Sequence, residues 1–197
     1  MKRVGLYGDP HSGSKVGLTP NPTNKVQEIL LERHLDCVNT LGPVDILSCN
    51  GDLVDGTMAK GMSVGDDNWI AGQVDDACEL IKLWNAPRVF VNMGTGYHTR
   101  GGPTNDFEAQ VVNQLRAAGI EATFHTKLEL EINGWFKLKA RHFVRSSGIP
   151  HGRSGPGERV KFWDILENHL HGEDSAHLWV FSHVHYFQFT KNAFGAS

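Results

Sequence analysis

Apolar residues recur along this chain in two rhythms, and the change between them divides it. In the first part, short apolar runs alternate with stretches of helical period. Residues 2–8 read as a strand closed by Gly8-Asp9-Pro10, and the Gly-, Pro-, Ser- and Asn-rich residues 12–23 read as a loop. Asn24 is placed to cap a helix to Leu41, in which Val26, Ile29, Leu30, Arg33 and Val38 supply the period and Gly42-Pro43 the stop. Residues 44–48 form a second β-rich run before Gly51-Asp52. Ile70, Val74, Ala77, Leu80, Ile81 and Trp84 predict an amphipathic helix within residues 66–85. A third strand is expected over 88–93, then a helix capped by Thr104 and running to Ala118 before Gly119.

From Ile120 to Val144 the rhythm becomes alternation, as in Leu128–Ile132 and Phe136–Ala140. Asn133-Gly134 between those two runs is a strong hairpin signal. A helix over 158–170 and a buried strand over 178–181 follow, and residues 186–190 have the composition of one more strand. Units of βαβ first and antiparallel strands later imply an α/β protein with a mixed sheet or two packed sheets. The 197 residues fit one domain, 1–197. In such folds ligands gather at the carboxyl ends of strands. Asp9, Asp52, His98, His142 and His183 all follow predicted strands.

Composition narrows the options. With 40% hydrophobic and 21% charged residues the chain is an ordinary globular one, which excludes disorder. A net charge of −3 gives no reason for tight non-specific nucleic-acid binding, although Lys137, Lys139, Arg141, Arg145, Arg153, Arg159 and Lys161 make the later third locally basic. Cys37, Cys49 and Cys78 have no CxxC spacing and read as buried thiols in a reducing compartment. No apolar run approaches the roughly 18 residues of a membrane span, so the expectation is a cytoplasmic protein without a membrane partner. The eleven histidines are the unusual feature.

Three short patterns carry candidate chemistry. Asp9 and His11, two apart at a strand end, can offer a carboxylate and an imidazole to one cation; alternatively Asp9 only opens a turn before Pro10. Gly51-Asp52-Leu53-Val54-Asp55-Gly56 can supply a carboxylate that bridges two cations, or be a plain turn. His183 and His185 straddle one residue after an apolar run. On a strand they would point to opposite faces, so both reach one place only if the strand yields to a turn.

Taken together, the order DxH, GDxxD, a central glycine motif, a lone His and Ser-His-x-His resembles the calcineurin-like metallophosphoesterase family, from Asp9 to His185. The resemblance implies two mixed β-sheets flanked by helices. It further implies a dinuclear metal centre, with Asp9, His11 and His185 on one metal, His142 and His183 on the other, and Asp52 between. Asp55 becomes a supporting loop residue. Mn is expected first, with Fe, Zn, Ni and Co as other occupants of a thiolate-free N/O site. Two such cations activate water for in-line attack on a phosphate ester, a monoester or a diester.

The family's Gly-Asn-His is altered here to Gly94-Thr95-Gly96-Tyr97-His98, a variant that with the compact size resembles members carried by phages or prophages. Thr95 stands where a metal-binding Asn is expected, so the second metal binds more weakly, takes a water, or recruits His98. His98 is expected to protonate the leaving oxygen or steady the transition-state charge, the alternative being a loop histidine packed on Tyr97. His142 is preferred to His151 as the lone ligand because strand ends hold ligands rigidly. His151, Arg145 and Arg153 are candidate phosphate contacts. His34, His169 and His171 read as surface or helix-end residues. Little chain follows His185, so the sheet is incomplete at its C-terminus, this member is short, or a second subunit covers an exposed edge. Two other readings remain: a nuclease using the same chemistry on nucleic acid, and a non-catalytic interaction module on the same scaffold.

Overall fold

The structure is a computed structural model that describes residues 2–56, 70–102, 105–143 and 155–183. Its first sheet has the order β1 (Val4–Tyr7), β2 (Ile46–Cys49), β3 (Arg88–Asn92) and β6 (Glu121–His125), all parallel. Helix α1 (Lys25–Leu41) follows β1, α2 (Ile70–Lys82) precedes β3, and α4 (Phe107–Ala117) leads into β6. Each crossover returns the chain to run alongside the previous strand, which is why the sheet is parallel. Its middle strand β2 is buried at every residue, as expected when both faces are covered. On one face Leu47, Cys49, Val89 and Val91 pack under Val74, Ala77, Cys78 and Ile81 of α2 and Val111, Val112 and Leu115 of α4.

On the other face Ile46 and Phe90 meet Leu128, Ile132, Leu138 and Ala140 of a second sheet. That sheet has the order β7 (Leu128–Ile132), β8 (Phe136–Arg141) and β9 (Leu178–Phe181); β7 is antiparallel to β8, and β8 is parallel to β9. Asn133, Gly134 and Trp135 connect β7 to β8, and the first two take left-handed φ of 56° and 77°, which Asn and Gly accept readily. The protein is therefore α/β with two sheets flanked by helices, but one sheet is wholly parallel where two mixed ones were expected. Alternation over 120–144 hid the fact that β6 belongs to the parallel sheet. Short elements α3 (Gly96–Thr99), β4 (Arg100–Gly102) and β5 (Asn105–Asp106) connect β3 to α4. Helix α5 (Gly155–His171) is tied to the second sheet by buried Asp164, which pairs with Lys139 and accepts the Trp179 indole N–H at 3.1 Å.

Four local expectations are corrected. Asn24 does cap α1, accepting from the N–H groups of Val26 and Gln27, but of the periodic apolar residues of that helix Val38 packs on the core while Val26 and Ile29 do not. Val26 is 48% exposed and Ile29 45%, whereas Gln27 and His34 are buried. Gln27 is held inside by hydrogen bonds to Thr23 and the Ser14 carbonyl. His34, expected at the surface, has its Nε2 3.3 Å from the Leu80 carbonyl oxygen and its ring against Tyr7 and Trp84. The cap of α4 is Asp106 rather than Thr104, its carboxylate accepting from Glu108 and Ala109. Cys49 and Cys78 are buried as expected, but Cys37 is exposed. The expected strand at 186–190 lies outside the described residues, as do Arg145, His151 and Arg153. Among the described residues no helix is long and apolar enough to cross a membrane.

Candidate metal centre

The carboxyl ends of β1, β2 and β3 lie side by side, and so do those of β8 and β9, through the registers Tyr7↔Cys49, Cys49↔Val91 and Arg141↔Phe181. Beyond β1 and β2 the two loops continue pairing. Asp9 donates to the Gly51 carbonyl at 3.1 Å, His11 to that of Asp52 at 3.1 Å, Ser12 to that of Leu53 at 3.1 Å, and Asp55 back to that of Ser12 at 2.9 Å. The DxH and GDxxD segments thus run as one ribbon past the sheet edge. Asn50 joins the sheets there: it accepts from Asn92 at 2.8 Å and donates to the Ser182 hydroxyl at 2.8 Å.

This scaffold brings Asp9, His11, Asp52, His142 and His183 together. Ligand atoms of Asp9, His11 and Asp52 lie within 4.8 Å of one another, as do those of Asp52, His142 and His183. Asp52 belongs to both groups. A third group is His11, Asp55 and His98. His185 lies outside the described residues. The strand ends before His183, which has φ of 73° and donates its N–H to Asp9 Oδ2 at 3.2 Å. Asp9, His11 and Asp52 also have left-handed backbones, with φ of 54°, 48° and 50°.

Each central side chain is oriented by a neighbour. His142 is fully buried and its Nδ1 lies 2.6 Å from the Asn50 carbonyl, so Nδ1 carries the proton and donates. Its Nε2 is then the lone-pair nitrogen when the ring is neutral. That atom has no hydrogen-bond partner and sits 2.9 Å from Asp52 Oδ2. Burial lowers the His142 pKa, but the adjacent Asp52 carboxylate outweighs it and the net direction is upward. Burial likewise raises that of Asp52, yet His142 and the Thr95 N–H hold it below the ordinary carboxylate value. Thr95 donates to Asp52 through its N–H at 2.6 Å and its hydroxyl at 3.0 Å. It therefore anchors the shared carboxylate. His98 groups with His11 and Asp55 rather than with His142 and His183: its Nδ1 is 2.6 Å from the Asp55 carbonyl, and its ring is 4.5 Å from that of His11.

Sequence reasoning missed Glu108. This fully buried residue accepts the Leu53 N–H at 3.2 Å and the Gly94 N–H at 2.6 Å, tying the loop that carries Asp52 to the loop that carries Thr95. Desolvation pushes its pKa up to about 8. One signal was available: Glu108 shares a helical face with Val111, Val112 and Leu115, an acidic residue on an otherwise apolar stripe. The approach is tight. A Cβ on Gly94 would lie 2.2 Å from Asp52 Oδ1, and one on Gly51, which has φ of 82°, 2.6 Å from His142 Cγ.

No family model matches the chain, and no curated protein matches it in sequence. Solved structures similar to it include AQ665 from Aquifex aeolicus, a protein of unknown function, at 17% identity over 94% of this chain and 80% of that one, with a TM-score of 0.47. Another is a novel archaeal phosphodiesterase at 12% identity over 98% of this chain and 79% of that one, with a TM-score of 0.49. Likenesses this weak say nothing of what the chain does.

Two clefts border the site. One, of about 510 Å³, is lined by Asp9, His11 and His98 together with Val16, Leu18 and Leu30. The other, of about 540 Å³, lies against Gly94, Thr95, Arg141 and Phe143.

Proposed function

We propose that this chain is a metal-dependent hydrolase of phosphate esters in which Asp52 bridges two divalent cations. One observation carries the reading: Asp52 is the common member of two ligand groups, each with its atoms within 4.8 Å. The donor set fits a metal on its own chemistry. His142 offers a buried Nε2 that no hydrogen bond uses, while its Nδ1–H is committed to a backbone carbonyl, the usual arrangement of a ligating histidine.

Asp9, His11 and Asp52 would hold one cation, joined by His185 on the family resemblance. Asp52, His142 and His183 would hold the other, with Mn the first to be tried among the metals that suit imidazole and carboxylate. When bound, such a pair supplies charge neutralisation for the phosphoryl group and lowers the pKa of water. The protein's own groups do the rest. Thr95 fixes both oxygens of Asp52. His98, its Nδ1 held 2.6 Å from the Asp55 carbonyl oxygen, would in its imidazolium form pass a proton to the leaving oxygen. The cleft beside His98, walled by Val16, Leu18 and Leu30, suits an apolar leaving group.

The deciding experiment is metal analysis of protein purified without chelator, with hydrolysis of 4-nitrophenyl phosphate and bis(4-nitrophenyl) phosphate measured with added Mn and after EDTA. Close to two ions per chain and chelator-sensitive turnover are expected. Protein that holds one ion or none after Mn loading, and cleaves neither ester, would overturn the reading.

A further inference from the structure

The second cleft differs in chemistry from the first, and the two share no lining residue. Its wall includes Thr95, Gly96, Thr126, Lys127, Arg141 and Phe143. It abuts the shared carboxylate, because Thr95 donates to Asp52, and the second ligand group, because Arg141 and Phe143 flank His142. The Phe143 ring is 43% exposed and lies 5.0 Å from the His183 ring, so it edges the cleft at the His183 side. Lys127 is engaged by Glu129 at 2.5 Å and by the Trp179 face at 5.4 Å. Arg141 meets no carboxylate among the described residues. A guanidinium at the mouth of a cleft next to a phosphoryl site, beside an exposed ring, has the shape and charge to take a second anion carried on a planar group.

We infer that this cleft binds the ester arm retained after hydrolysis and selects one that bears a second anionic group on a planar ring, with Arg141 as the selecting residue. The inference rests on the phosphoesterase reading for the placement of the phosphoryl group. Water adds to phosphorus, the bond to the leaving oxygen breaks, that oxygen takes a proton, and the retained arm stays in the cationic cleft as a phosphomonoester.

Two diesters with the same leaving group test it: phenyl 4-nitrophenyl phosphate and 4-carboxyphenyl 4-nitrophenyl phosphate. For Mn-loaded protein the carboxylate is expected to raise kcat/KM about tenfold, chiefly through KM. In Arg141→Gln the ratio of the two values is expected to fall to about one, and Arg141→Lys to restore part of it. Calorimetry with the products, 4-carboxyphenyl phosphate against phenyl phosphate, should show the same preference and the same loss. A ratio near one in the unmodified protein, or a ratio that Arg141→Gln leaves intact, would overturn the inference. Should Mn-loaded protein cleave neither diester, the hydrolase reading fails, and calorimetry alone decides the cleft: equal affinity for the two products rejects it.

Discussion

The carboxylate of Asp52 lies 2.9 Å from Nε2 of His142, close enough to touch but not aligned to bond. A buried carboxylate and a buried imidazole at this distance would ordinarily share a proton in a hydrogen bond. Here each is held by something else: Asp52 by Thr95, and His142 by the Asn50 carbonyl. With the ring neutral, Nε2 and the carboxylate both offer lone pairs within a single ligand group that includes His183.

Asp52→Asn tests that group. The amide loses the charge that would bridge two cations, so metal content is expected to drop from about two ions per chain to one or fewer, and hydrolysis by at least about a thousandfold. Mn at roughly a hundred times its dissociation constant should raise the Tm of the unmodified protein by about 5–10 °C, and that of the variant by much less. Elemental analysis and thermal melts read both.

His98 is expected to behave differently. Its Nδ1 is taken by the Asp55 carbonyl and it sits beside His11 rather than His142. His98→Ala should lower kcat by roughly a hundredfold or more while metal content stays near two. A variant that loses an ion along with its turnover would make His98 a ligand instead.

Glu108 gives a pH dependence whose sign can be worked out. Its folded pKa is pushed up to about 8, above its ordinary value, so between those limits the folded state holds a proton that the unfolded chain has released. Stability of the metal-free protein therefore falls as pH rises through that window, by at most about 5 kcal/mol from this group. His142, also raised, acts in the same direction. Comparison with Glu108→Gln separates the two. The variant amide can accept only one of the two main-chain N–H groups, so it should be less stable at pH 5 by about 1–3 kcal/mol yet show a shallower decline to pH 8 in urea unfolding.

Gly94→Ala would place a methyl group 2.2 Å from Asp52 Oδ1 and 3.0 Å from Glu108 Oε1. Neither carboxylate can retreat without giving up its main-chain donors. The expected result is a loss of about 1–3 kcal/mol in unfolding free energy and of hydrolysis by about a hundredfold, read by denaturant titration and ester assay.

Much of this was legible in the sequence, because the site is built from strand ends and strand ends are marked by turn residues. Asp9, Asp52 and His142 could be placed at the carboxyl edge from Gly-Asp turns and an alternating run alone. What stayed hidden depends on tertiary partners. Gln27 and His34 are inside because the 14–23 loop and the Leu80 carbonyl receive them, and no periodicity in α1 encodes either partner. Thr95 looked like a weakened ligand; only the folded loop shows it donating twice to Asp52. Strand β6 was misgrouped because an alternating pattern does not tell a parallel edge strand from a hairpin arm.

Four of the clustered residues, Asp9, His11, Asp52 and His183, keep φ between 48° and 73°. A side chain in that region costs about 1 kcal/mol relative to glycine, which the local loops must absorb. Evolution toward heat tolerance alone would press on these positions first, since exchanging them for glycine or asparagine relieves crowding at once. A laboratory lineage selected that way should grow sturdier and lose its chemistry in the same few steps.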